Sequence, residues 1–91
     1  MSIKVKLFYP ALQWYLGNPG SVRVSGRTVG ECLEDLARQF PGVGPLIFAG
    51  PGEFLRQVFV YVNSESVHKA RLTDPISEGD ELLIAVLITG G

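Results

Sequence analysis

Apolar and polar positions alternate at the start of the chain. Ile3, Val5, Leu7 and Tyr9 fall on odd positions with Lys4 and Lys6 between them, the period-two pattern of a half-buried strand. Pro10 ends that run. Asn18-Pro19-Gly20 then supplies turn chemistry before Ser21 to Ser25 alternate again, so the opening predicts a hairpin with a long connection, closed by Gly26. The period changes at Val29. Val29, Cys32, Leu33, Leu36, Ala37 and Phe40 follow the i, i+3, i+4, i+7 spacing of an amphipathic helix. Thr28, followed three residues later by Glu31, forms a capping box in which each side chain satisfies the other residue's free backbone N–H. Glu34 precedes Arg38 by four, which favours an ion pair on the helix surface, and Pro41-Gly42 stops the helix.

Beyond the helix, glycines between Gly42 and Gly52, with Pro45 and Pro51, predict a loop whose apolar island Leu46-Ile47-Phe48 tucks under the core. Val58 to Val62 is a β-branched and aromatic strand, Asn63-Ser64-Glu65 a turn, and Ser66 to Lys69 at most a short edge strand. Ser77-Glu78-Gly79-Asp80 predicts a turn with Gly79 at positive φ, launching a last strand from Glu81 to Leu87. Several strands with one main helix to cover one sheet face make this an α+β two-layer domain.

Strand parity assigns the two faces of that sheet. Leu82, Ile84, Val86 and Ile88 share one face of the last strand; Glu81, Leu83, Ala85 and Leu87 share the other. The face with charged Glu81 points away from the helix. On the same logic Val58, Val60 and Val62 meet the helix, while Gln57, Phe59, Tyr61 and Asn63 point outward. Phe59, Tyr61, Leu83, Ala85 and Leu87 then form an exposed apolar patch of the kind that marks a protein interface, unless Leu46-Ile47-Phe48 folds over it. Trp14 and Tyr15, in the first connection, are either lids on the core or part of a recognition patch.

Composition narrows the function classes. Ninety-one residues with 46% apolar and 19% charged side chains suit one small globular domain rather than a disordered chain. No apolar run is long enough for a membrane span. A net charge of -1 without a Lys/Arg cluster argues against nucleic acid as a ligand. A single cysteine and an N-terminus without signal or transit character point to the cytoplasm. Cys32, on the apolar helix face, is expected to be a buried, inert thiol. His68, the sole histidine, has no triad or metal constellation around it, so no catalytic side chain and no metal site are expected.

The remaining chemistry is at the end of the sequence, Ile88-Thr89-Gly90-Gly91. Two glycines make a thin thread that enters a narrow active site where a side chain would clash, and the carboxylate of Gly91 becomes a candidate reacting group. The preceding apolar run from Leu82 to Ile88 would fasten that thread to the folded body.

The strand hairpin, the capped helix, the Tyr61-Val62-Asn63 strand end, the turn from Ile76 to Leu82 and the Gly90-Gly91 end together resemble the MoaD/ThiS family of ubiquitin-like sulfur carriers. The resemblance implies a β-grasp fold, a mixed sheet packed on one main helix with the first and last strands parallel at its centre. It implies a single ubiquitin-like domain over 1-91 with a flexible C-terminal tail at 88-91. It also implies that an adenylating enzyme related to ubiquitin activators esterifies Gly91 to AMP, after which sulfur converts it to a thiocarboxylate that a sulfur-accepting synthase uses. ATP and the sulfur donor would be used by the partner enzyme, with no cofactor bound by this chain. Gly90 and Gly91 would then be the adenylation site, and Phe59, Tyr61, Leu83, Leu87, Ile88 and Thr89 the partner interface. Carriers serving molybdopterin synthase often have prolines before the diglycine. Here Val86-Leu87-Ile88-Thr89 stands there, and the segment from Gly42 to Gln57 is longer; both features look more like the carriers of cysteine or other thio-metabolite synthesis. The alternatives are a ubiquitin-like modifier conjugated through Gly91, the small subunit of a molybdopterin synthase, or an interaction module in which the tail plays no part.

Overall fold

The alternation at the start of the chain becomes β1 (Ile3–Phe8), and Pro10 ends it by opening a helix rather than a loop. In a computed structural model, which describes residues 2–17, 21–50, 52–63 and 71–86, α1 (Pro10–Tyr15) occupies most of the connection to β2 (Ser21–Val24). Proline suits the first turn, where its missing N–H has no intrahelical partner in any case. Six residues are too few to show a helical period, and so the sequence pattern passed over this element. Leu12 anchors it in the core, and the Gln13 Nε2 donates to the Leu7 carbonyl at 2.6 Å.

The predicted main helix is α2 (Val29–Gln39), with Val29, Cys32, Leu33 and Leu36 buried. Thr28 Oγ1 accepts from the Glu31 amide at 3.1 Å. The return contact differs by one residue from the expected capping box: Glu31 Oε1 accepts from the amide of Arg27, at 3.0 Å. Two more amides at this helix end, those of Val29 and Gly30, donate to the carbonyls of Asp74 and Leu72 at 3.0 and 2.8 Å, which ties the segment before the last strand to α2. Gly26 is required just ahead of the helix, because a Cβ there would stand 2.7 Å from the Cys32 amide nitrogen and 2.9 Å from its Sγ. The expected surface pair is also shifted: Arg38 lies 3.4 Å from Asp35 rather than pairing with Glu34.

Where a loop was expected after Gly42, the chain builds α3 (Gly44–Ile47) and a two-stranded hairpin of β3 (Phe48–Gly50) and β4 (Glu53–Phe54). The rings of Phe48 and Phe54 stack with centroids 5.8 Å apart. Ile47 is fully buried in the core, with Leu46 and Phe48 packed against it. The single covering helix of the sequence reading is thus joined by two short ones.

β5 (Val58–Val62) and β6 (Glu81–Val86) complete a four-stranded sheet in the order β2-β1-β6-β5. β1 and β6 are central and parallel, with Lys4 opposite Glu81 and Phe8 opposite Ala85; β2 and β5 pair antiparallel on either side. This mixed sheet on a main helix is the expected β-grasp arrangement. The edge of β2 is covered by α2 side chains: Asp35 Oδ2 accepts from the Ser25 amide at 3.0 Å and Gln39 Nε2 donates to the Arg23 carbonyl at 3.0 Å. Such contacts keep the free strand groups from pairing with another chain. The suggested edge strand at Ser66 to Lys69 and the end of the last strand at Leu87 lie outside the described residues.

Candidate functional site

The start of β6 is set by a small polar clamp. Gly79 takes φ +94° in the turn, and Asn63, at the end of β5, takes φ +57°, a left-handed conformation that asparagine tolerates better than most residues. From there the Asn63 amide nitrogen donates to the Glu81 carbonyl at 2.7 Å, and its side-chain Oδ1 accepts from the Glu81 amide at 3.0 Å. Asp80 Oδ2 accepts from the Ser77 amide at 2.8 Å, while its Oδ1 accepts from Asn63 Nδ2 at 3.3 Å. The turn residues and the strand end therefore act together: they fix which residue of β6 faces which way.

With that register set, the two faces separate as parity predicts. Val58, Val60, Leu82 and Ile84 are buried against the helices. On the opposite face Tyr61, Leu83 and Lys6 lie in one cross-strand row, and Phe59, Ala85 and Phe8 in the next. Phe59, Tyr61, Leu83 and Ala85 are half-buried, and Phe8 is 63% exposed. Lys6 Nζ meets Glu81 Oε2 at 3.3 Å at the border of the patch. Leu46-Ile47-Phe48 does not cover this surface, because Ile47 is in the core and Phe48 borders α2 across a groove of about 760 Å³. Phe8 was missed in the sequence, although the parity that sends Lys4 and Lys6 outward sends Phe8 with them.

Trp14 is 83% exposed and Tyr15 is 46% exposed, so neither is a lid sealed into the core. Tyr15 is nevertheless tied down, its hydroxyl donating to the Pro41 carbonyl. Cys32 is fully buried; burial, reinforced by the charges of Asp35 and Glu31, pushes its thiol up to about 11. A thiol held protonated in this way is neither a nucleophile nor a metal ligand at neutral pH. Among the described residues no group of three or more His, Cys, Asp or Glu could hold a metal ion, and no helix is long and apolar enough to cross a membrane. Leu87, Ile88, Thr89, Gly90 and Gly91, together with His68, lie outside the described residues.

The described residues thus present an open apolar sheet face beside the last strand. The sequence pattern of the ThiS family matches residues 19–91. The chain belongs to the ThiS family. It is similar to the sulfur carrier protein CysO of Mycobacterium tuberculosis, with 32% identity over 83 residues covering 88% of this chain and 89% of the relative. Its fold matches that of the Amycolatopsis orientalis BexX/CysO complex with a TM-score of 0.81, 28% identity and coverage of 98% and 99% of the two chains. It matches SAMP1 from Haloferax volcanii with a TM-score of 0.83 and 31% identity, covering 100% of both. As a ThiS-family protein the chain is ubiquitin-like, and its α3 packs Ile47 into the core, leaving the outer sheet face open.

Proposed function

We propose that this ThiS-family protein is a sulfur carrier that works through the carboxylate of Gly91. The observation that carries the reading is the family match, which runs to Gly91 and so includes the diglycine. A carboxylate is a poor acyl donor because its leaving group would be oxide. Esterification to AMP, with loss of pyrophosphate from ATP, replaces that leaving group by a phosphate ester. A sulfide-level donor then displaces AMP, one carboxylate oxygen departs with it, and a thiocarboxylate remains. The partner, a ubiquitin-activator-like adenylating enzyme, supplies the Mg²⁺ and cationic groups that stabilise the transferring phosphate. The carrier contributes no catalytic side chain and binds no cofactor of its own; it offers residues 88–91 as the thread that enters the enzyme, and the outer face around Phe59, Tyr61 and Leu83 as the surface on which the enzyme rests. This chemistry takes place in the cytoplasm, and the sulfur passes to a synthase of cysteine or another thio-metabolite, a reading supported by the similarity to CysO.

The likeness to an archaeal protein described as a small archaeal modifier protein favours a second use of the same activation step, conjugation of Gly91 to lysines of target proteins. Intact-mass measurement separates the two. After incubation with the adenylating enzyme, ATP and a sulfur source, the carrier reading expects a species heavier by the difference between one sulfur and one oxygen, mapping to Gly91 and not to Cys32. Covalent adducts in a denaturing gel, with no such species, would replace it by the modifier reading.

A further inference from the structure

We infer that Trp14 is a second anchor point for the adenylating enzyme, separate from the outer sheet face and placed at the end of the domain from which the reacting terminus leaves. The inference rests on the reading of Gly91 as the group that the enzyme modifies.

One observation places Trp14 there, and two more make it a fixed, exposed anchor. β1 and β6 are parallel, with Phe8 opposite Ala85. The end of β1 is therefore also the end of β6, and α1, which begins two residues after Phe8, stands where the chain passes Val86. Trp14 is four residues into that helix, only ~6 Å of helical rise from its start. Next, its exposure is imposed by the helix. Leu12 is buried in the core, and a residue two positions further on lies roughly 200° around the helix axis. Trp14 cannot turn inward without unseating Leu12. Lastly, the helix is fastened on both sides of Trp14, through the side chain of Gln13 to Leu7 and that of Tyr15 to Pro41. A rigid mounting that holds the largest apolar side chain in water is what a preorganised binding anchor requires.

The length of chain beyond Val86 identifies the occupant. Five residues, 87 to 91, follow it, and fully extended they reach at most about 18 Å. An enzyme whose active site closes around Gly91 must therefore bring its surface within that distance of the end of the sheet. A partner lying flat on the outer face reaches Phe59, Tyr61, Leu83 and Phe8. To enclose the terminus it must also wrap over the end of the domain, and there the most exposed aromatic among the described residues is Trp14. Tryptophan is the residue most enriched among interface side chains that carry large shares of binding energy.

Trp14 is the only tryptophan in the chain, so fluorotryptophan incorporation gives one fluorine resonance that reports this side chain alone, even against an unlabelled enzyme. The probe is the purified ubiquitin-activator-like enzyme from the same organism. Adding it should shift or broaden that resonance. Trp14→Ala should raise KM for adenylation about tenfold or more with kcat within about twofold, the pattern of lost binding away from the reacting atoms. Trp14→Phe should recover part of the loss, and the urea midpoint of both variants should match the wild type. An unmoved resonance while Gly91 is adenylated, or unchanged KM in Trp14→Ala, overturns the inference. So does a resonance that shifts with the concentration of this chain alone, since the occupant would then be a second copy. A shift on adding enzyme without any modification of Gly91 would support the anchor and sink the carrier reading instead.

Discussion

The two faces of β5 and β6 are built from alternating residues of the same two strands, yet they do different work. Val58, Val60, Leu82 and Ile84 are buried in the core that the helices share, where each contributes burial to folding. Phe59, Tyr61, Leu83 and Ala85 are as apolar but only half-buried, flanked by Phe8 and by the Lys6–Glu81 pair. Apolar area left in water adds little to folding and remains available for association. Core burial and open apolar surface are thus separable properties of neighbouring residues, and a one-residue shift of register would exchange them.

The largest effect should come from crossing that boundary. Leu82→Asp places a charge among fully buried apolar side chains, where no partner can satisfy it, and the domain should be unfolded without denaturant. Leu83→Asp, one residue further, should remain folded with its stability within about 1 kcal/mol of wild type, since a carboxylate at that position would stand beside Lys6. Binding to the adenylating enzyme should nonetheless fall about tenfold or more, because the charge would be desolvated in the interface. Circular dichroism and partner titration on the two variants make the test; unfolding of the second and folding of the first would reverse the assignment of the faces.

A smaller effect sharpens the inner side of the comparison. Leu36→Ala should cost ~2–5 kcal/mol through lost burial and a residual cavity, measured by urea denaturation, with adenylation intact at temperatures where the variant is folded. A loss below about 0.5 kcal/mol would mean that α2 docks on the sheet by a different side.

The smallest effect is a pH dependence at the covered edge of β2. The Ser25 amide, then Gln39 and Arg38, hold the Asp35 carboxyl below its ordinary value of 3.8. A carboxylate with a folded-state pKa below the unfolded one adds stability that is present above the unfolded value and is lost as pH falls through the folded one. Wild type should therefore lose stability on acidification below about pH 4 more steeply than Asp35→Asn, and the two curves should converge in strong acid. Parallel curves from pH 7 to 2 would show that these contacts do not discriminate the charged form.

Much of this molecule can be read along the chain because its long elements carry their own period. The α2 helix with Thr28 at its start, the strand from Val58 to Val62, and the inward and outward parity of β5 and β6 depend on spacing that neighbouring residues already express. The outward place of Phe59, Tyr61 and Leu83 follows from that parity, and the diglycine at 90 and 91 is a matter of composition alone. Short elements carry no such period. The helix at Pro10–Tyr15, the turn at Gly44–Ile47 and the hairpin around Gly52 exist because Leu12 and Ile47 fill the core and because Phe48 finds Phe54, contacts between residues that no local pattern links. The same holds for Trp14 and Phe8. Parity turns Phe8 outward and the burial of Leu12 turns Trp14 outward, but their common position at the end of the sheet where β6 finishes depends on the parallel pairing of β1 with β6, which joins Lys4 to Glu81 and Phe8 to Ala85 and is decided only when the whole chain packs.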